Sequence, residues 1–425
     1  MKLLLKNGRL VDPARGIDGR RDLLIENGKV SRVEETILDA EAKVIDLSGL
    51  VVAPGFIDMH THLREPGRED EESIESGSRA AAAGGFTSVA CMPNTNPPND
   101  NQSVTEFILR QAARVQGVNV YPIGCLSRNR AGEELAEIGH MVESGIVAVS
   151  DDGSPVSSNH LMRKALEYTR MFGIPVIDHC EDISLAGSGV MHEGDCSTRL
   201  GLEGIPACAE EVQVARDVAL ARFTGGRIHI AHISCRQSLD LVRQARRDGV
   251  AITCEVTPHH FTLTDEAVGD FDPNTKMKPP LRSADDLDAI LEGLRDGTID
   301  AIATDHAPHN PLEKIVEFDQ AAFGVIGLET AVGLALDRLV NRKVIELERL
   351  VDLFSVQPAR ILGLRKGKLG PGDDADITVL NLKKEMEVSA DRMQSRSRNT
   401  PFAGWKLQGA PVLTLVGGRI LHDGR

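Results

Sequence analysis

His60 and His62 stand one residue apart at the end of an apolar run, Phe56–His62. Side chains alternate faces along a strand, so both imidazoles point the same way and can share one cation at roughly 2.0–2.1 Å. Comparable runs end in further candidate ligands: Asp151 and Asp152 follow Ile146–Ser150, His179 closes Ile174–His179, His232 lies near the end of Arg227–Ile233, and Asp305 closes Ile299–Asp305. Four imidazoles with two carboxylates suit zinc or another divalent transition metal better than calcium, which prefers oxygen-only shells. Six ligands also exceed the three that a single catalytic zinc uses. Two metals about 3.5–4 Å apart, bridged by a carboxylate and a hydroxide, would use them all. The competing reading, unrelated capped or core residues, predicts scatter rather than collection at strand ends.

The elements that must position these groups are eight β-branched runs alternating with amphipathic stretches. Besides those above, the runs are Phe86–Met92, Val118–Leu126 and Val250–Thr257, and the stretches between include Glu72–Ala83, Ser103–Gln116, Ser158–Phe172, Glu210–Phe223, Ser238–Asp248 and Ala284–Leu294. Eight strand–helix units in series predict an α/β fold, a closed (β/α)8 TIM-like barrel whose βα loops form one functional mouth at the carboxyl ends of the strands. No Gly-x-Gly-x-x-Gly follows the first run, which argues against an open dinucleotide-binding sheet. Within Arg227–Ile233, alternation sends His229 and His232 to opposite faces, so His232 is assigned to the mouth and His229 to packing or the helix layer. Spacing does not separate Asp151 from Asp152.

The flanks have a different texture, with short strand-like pieces and turns such as Asn27-Gly28 and Gly417-Gly418. The expected division is a composite β-domain from residues 1–52 and 363–425, around a barrel from 53–362.

Among 425 residues the net charge is -15, which disfavours nucleic acid and anionic membranes as partners, and 3% aromatics disfavour base stacking. The N-terminal residues lack a signal-peptide core, and no run of about 18 apolar residues occurs. Seven cysteines without paired spacing point to a reducing compartment and buried thiols. A soluble, cytoplasmic protein is expected. Cys180 is read as a core thiol, His259 and His260 as capping or supporting residues, and His140, His160, His192 and His422 as solvated or capping.

Longer motifs add a family likeness. Asp58–Gly67 resembles the first signature of dihydroorotases, and Ala303–His309 the second. Met92–Pro98, Met277–Arg282 and Phe323–Thr330 extend it across nearly the whole chain, whose ends resemble the wider amidohydrolase superfamily. The resemblance implies that His60, His62 and Asp305 hold one Zn2+, that His179 and His232 hold a second, and that Asp152 bridges them. Many relatives bridge through a carboxylated lysine, whereas Ser150-Asp151-Asp152-Gly153 offers none. It further implies that Arg64, Asn94 and His309 grip a substrate carboxylate beside His62, with backbone near Phe323 and Gly324 touching the ring. Lys278 stands where similar enzymes commonly carry Asn.

The implied reaction is the reversible hydrolysis of dihydroorotate to N-carbamoyl-aspartate in pyrimidine synthesis. Zinc would bring the pKa of water to about 7, and Asp305 would act as general base and then acid. Two alternatives stand beside it: a hydantoinase, dihydropyrimidinase or allantoinase, and a non-catalytic assembly partner of aspartate carbamoyltransferase. Homo-oligomers and association with that transferase are compatible with either active reading.

Overall fold

The computed structural model describes residues 2–425. Seven of the eight expected runs form parallel strands: Phe56–Thr61, Phe86–Cys91, Asn119–Pro122, Val176–Asp178, Ile228–Ile230, Ile252–Val256 and Ala301–Ile302. The fourth run is the exception. There Val149 makes single parallel bridges to Gly124 on one side and Val176 on the other, so that segment spans the gap without a ladder of its own. Thr61 bridges His306, and the His62 amide donates to the His306 carbonyl at 2.9 Å, which returns the last strand to the first. The chain is therefore a (β/α)8 barrel.

Alternation explains the packing. Phe56, Val89, Val120, Ile228, Ile230, Cys254 and Ile302 join one large core with the helices, whereas Met59, Ala90, Ile123, Ala148, Ile177, Ala231, Ala301 and Ala303 form a separate, small-residue cluster. Helices begin where polar side chains can satisfy free amides: Ser73 caps Ile74–Ala83, Asn101 caps Gln102–Val115, Ser158 caps Asn159–Thr169 and Ser283 caps Ala284–Asp296. No helix among the described residues is long and apolar enough to cross a membrane.

Both termini build one eight-stranded sheet. Its strand Val51–Pro54 pairs in parallel with Lys2–Asp12 and antiparallel with Ile377–Glu387. The sheet is tied to the barrel by Thr378, whose Oγ1 donates to the Gly85 carbonyl at 2.6 Å, and by Thr414, whose Oγ1 donates to the Ala82 carbonyl at 2.7 Å. All seven cysteines are unpaired, and only Cys208 is exposed.

Candidate metal centre and active site

The strand ends bring five of the six expected ligands into two overlapping groups. One ligand atom each from His60, His62 and Asp305, and likewise from His60, Asp152 and His232, lies within 4.8 Å of the others in its group. His60 Nε2 sits 3.4 Å from both Asp152 Oδ1 and Asp305 Oδ1, and His62 Nε2 is 3.1 Å from Asp305 Oδ1. His179, outside both groups, joins them through Nδ1, which is 2.9 Å from His232 Nε2 and 3.7 Å from Asp152 Oδ1. The local backbone pays attention to this convergence: His232 has φ +31° and Asp305 +48°, left-handed values that non-glycine residues rarely adopt.

The structure separates the two neighbouring aspartates. Asp151 accepts from the amides of Leu126 and Ser127 at 2.9 and 3.0 Å and from the Ser127 hydroxyl, so it ties one loop to the next. Asp152 instead faces His60, His62, His179 and His232.

Donor chemistry and unmet valence both fit a divalent metal. His60 Nε2 and Asp152 Oδ1 are buried and lack hydrogen-bond partners among the described residues, although each lies beside the other. Burial opposes charge on His60, but Asp152 and Asp305 outweigh it and hold its imidazole well above the ordinary range. Burial likewise opposes charge on Asp152, yet His60, His179 and His232 hold its carboxyl well below. The cluster is thus built around positive charge. Three of the four metal-facing imidazoles have a partner on the ring nitrogen turned away from the cluster: Asn94 Oδ1 is 2.8 Å from His62 Nδ1, Glu181 Oε2 is 3.1 Å from His179 Nε2, and Glu255 Oε1 is 2.7 Å from His60 Nδ1, whereas His232 Nδ1 is buried without one among the described residues.

A cavity of about 330 Å³ is lined by His62, Asp152, His179, His232 and Asp305, together with Arg64, Arg68, Asn94, Arg130, Lys278, His309, Phe323 and Gly324. Every expected substrate contact is on this wall. Arg64 Nε donates to the Pro308 carbonyl at 3.1 Å and lies 3.1 Å from Glu71 Oε2, while its terminal nitrogens have no protein acceptor among the described residues. His309 is held at both ends, Nδ1 2.8 Å from Glu313 Oε2 and Nε2 2.7 Å from the Phe323 carbonyl. Lys278 Nζ lies 2.7 Å from Glu181 Oε1, an ion pair at the cavity edge, and 5.1 Å from the Phe323 ring centroid. Arg68 and Arg130 were not anticipated. Their signal was present in Arg64-x-x-x-Arg68 and in Arg128-Asn129-Arg130, where both Asn129 and Arg130 take positive φ.

Two expectations need correction. His229 does not face the helix layer: its Nε2 is 3.3 Å from Glu255 Oε2, inside the barrel with His60 on the other carboxylate oxygen. Alternation misassigned it because the strand ends at Ile230, so parity does not carry through to His232. His192 is part-buried beside Arg282, 3.3 Å from Nη1, rather than solvated. His260 is engaged at both ring nitrogens, Nδ1 2.7 Å from Thr257 Oγ1 and Nε2 3.1 Å from the Pro279 carbonyl. Cys180 is a buried thiol 3.6 Å from carboxylate oxygens of Asp178 and Asp217.

A barrel with imidazoles and carboxylates at the carboxyl ends of its strands, beside a sheet built from both termini, defines an amidohydrolase. A family model described as amidohydrolase matches residues 204–422, and one described as dihydro-orotase-like matches residues 49–238. The chain is similar to the L-hydantoinase (dihydropyrimidinase) from Arthrobacter aurescens, with a TM-score of 0.90 and 27% identity over 99% of this chain and 96% of that one. It is 54% identical to a dihydroorotase of Syntrophus aciditrophicus over 100% of both chains. It is 55% identical to one of Pelotomaculum thermopropionicum over 100% of this chain and 99% of the relative. The chain belongs to the dihydroorotase family.

Proposed function

We propose that this chain is an active dihydroorotase that interconverts L-dihydroorotate and N-carbamoyl-L-aspartate, with two Zn2+ held by His60, His62 and Asp305 and by His179 and His232, and with Asp152 between them. The observation that carries this reading is one cavity in which metal-facing imidazoles meet four cationic side chains, Arg64, Arg68, Arg130 and Lys278, in a chain of net charge -15. Such a wall suits a carboxylate-bearing ring better than a neutral one.

Zinc, when bound, supplies Lewis acidity that polarises the ring amide carbonyl and makes hydroxide available near neutral pH. Asp305 lies 3.1 Å from His62 Nε2, and the nearby imidazoles hold it ionised against burial, the form that accepts a proton. In the hydrolytic direction it takes the proton of the attacking water and delivers it to the ring nitrogen as the C–N bond breaks. In the closing direction the same carboxylate removes the proton from the attacking ureido nitrogen and returns it to the carboxyl oxygen that leaves as water when the C–O bond breaks. Arg64 lines the cavity, and its guanidinium can bind the substrate carboxylate in two places, while Asn94 both lines the site and orients His62. The backbone at Phe323 and Gly324 borders the ring, and His309 holds that backbone through the Phe323 carbonyl.

Residues 1–52 with 363–425 are proposed as a composite β-domain and 53–362 as the barrel, in a cytoplasmic enzyme of pyrimidine synthesis. Self-association and binding to aspartate carbamoyltransferase belong to the same proposal and are read by sedimentation of the chain with and without that partner. The decisive experiment compares ring opening of dihydroorotate, hydantoin and allantoin by the zinc-loaded chain. Turnover of dihydroorotate alone is expected; turnover of a neutral ring in its place would reassign the substrate.

A further inference from the structure

Glu255 and His229 are fully buried inside the barrel, and the reaction above uses neither. They lie on adjacent parallel strands, Ile228–Ile230 and Ile252–Val256, with Ile230 opposite Cys254. Glu255 Oε1 is 2.7 Å from His60 Nδ1, its Oε2 is 3.3 Å from His229 Nε2, and His229 Nδ1 is 2.8 Å from Thr253 Oγ1. A carboxylate in an apolar interior is costly unless its neighbours compensate it, and apolar residues of similar volume would be as stable or more so. Space filling therefore does not account for this one.

The donor inventory gives the series a direction. An ionised carboxylate only accepts, so the proton shared with Glu255 sits on His60 Nδ1. His229, whose Nε2 approaches the other oxygen at 3.3 Å outside hydrogen-bond geometry, turns its proton-bearing nitrogen to the same carboxylate. His229 Nδ1 is then an acceptor, and the Thr253 hydroxyl is its donor. His60 is left with a bare Nε2, a buried nitrogen without a hydrogen-bond partner, 3.4 Å from Asp152 and from Asp305.

We propose that Glu255, anchored by His229, is a positioning residue for the metal centre: it fixes the ring orientation and tautomer of His60 so that Nε2 presents its lone pair to the cation. This rests on the reading of His60 as a ligand. A carboxylate behind a histidine ligand also raises its basicity, and losing such a partner typically weakens metal binding about 10–100-fold.

The test measures Zn2+ affinity of the full chain by competition with a chromophoric chelator, together with the Tm of the metal-free protein. Glu255→Gln is expected to bind Zn2+ about 10–100-fold more weakly while the metal-free Tm stays within ~2 °C of the parent. His229→Gln should weaken binding in the parent but add nothing in the Glu255→Gln background, because its effect passes through Glu255. Glu255→Gln binding Zn2+ within twofold of the parent would overturn the inference, as would a Tm loss without an affinity loss. A parent chain that binds no Zn2+ would overturn both this inference and the metal-centre reading beneath it, whereas the former outcomes leave that reading intact.

Discussion

At the scale of single residues, the site is distinguished by what each ionisable group lacks. Asp151 and Asp152 are adjacent and of one residue type, yet Asp151 is saturated by amide and hydroxyl donors whereas Asp152 Oδ1 meets only imidazoles. As the proposed bridge, Asp152→Ala is expected to lose bound metal and activity together, and Asp151→Asn to keep most of its metal; elemental analysis of the purified variants checks both. Near-parental metal in Asp152→Ala would move the bridge elsewhere. Asp305 is proposed to ligate and to move protons, so Asp305→Asn should reduce kcat by at least about 100-fold with a smaller change in KM. Steady-state kinetics in both directions reads this, and an undiminished kcat would remove the proton-transfer role.

At the scale of elements, the barrel strands deliver ligands while the loops shape the cavity around them. Gly324 has φ +125°, and a Cβ there would lie 2.7 Å from Ala307 Cβ and 3.1 Å from His309 Nε2. Gly324→Ala must therefore displace Ala307 and press on His309, both on the cavity wall, besides adopting a conformation that alanine resists. Its KM is expected to rise about tenfold or more with metal content unchanged, and a KM within twofold would show that the loop relaxes freely. Within residues 306–323, one buried cation ties the chain to a neighbouring element. Lys314, buried, donates to the carbonyls of Pro273, Lys276 and Ala322 at 2.9, 3.3 and 2.6 Å and so clamps the short helix Pro311–Lys314 to the neighbouring loop.

At the scale of the whole molecule, buried neutral imidazoles make stability depend on pH. Burial and Arg64 push the His309 pKa down to about 4, and burial with Arg282 pushes His192 to about 4. Free imidazole titrates near 6.5, so between about pH 6.5 and 4 the unfolded chain binds protons that the folded chain does not. The stabilisation is complete above that window and is lost as pH falls through it. Urea midpoints of the metal-free protein should decrease over this range, and His192→Gln should flatten the slope by up to one proton; an unchanged slope would place His192 outside the linkage.

The sequence by itself determined the alternation of strands and helices, the barrel, the β-rich ends and the strand-end position of the ligands, because each follows from a local period or from spacing within one element. It reached the family through contiguous motifs such as Asp58–Gly67. Only the tertiary structure showed how the partners of Asp151 and Asp152 differ, brought His229 into the barrel and paired His60 with Glu255, 195 residues away. It also added Arg68 and Arg130 to the cavity and turned Lys278 toward Glu181. The reason is physical: alternation fixes a side chain's face only while a strand continues, and a hydrogen bond between distant strands depends on barrel closure, which no local stretch encodes.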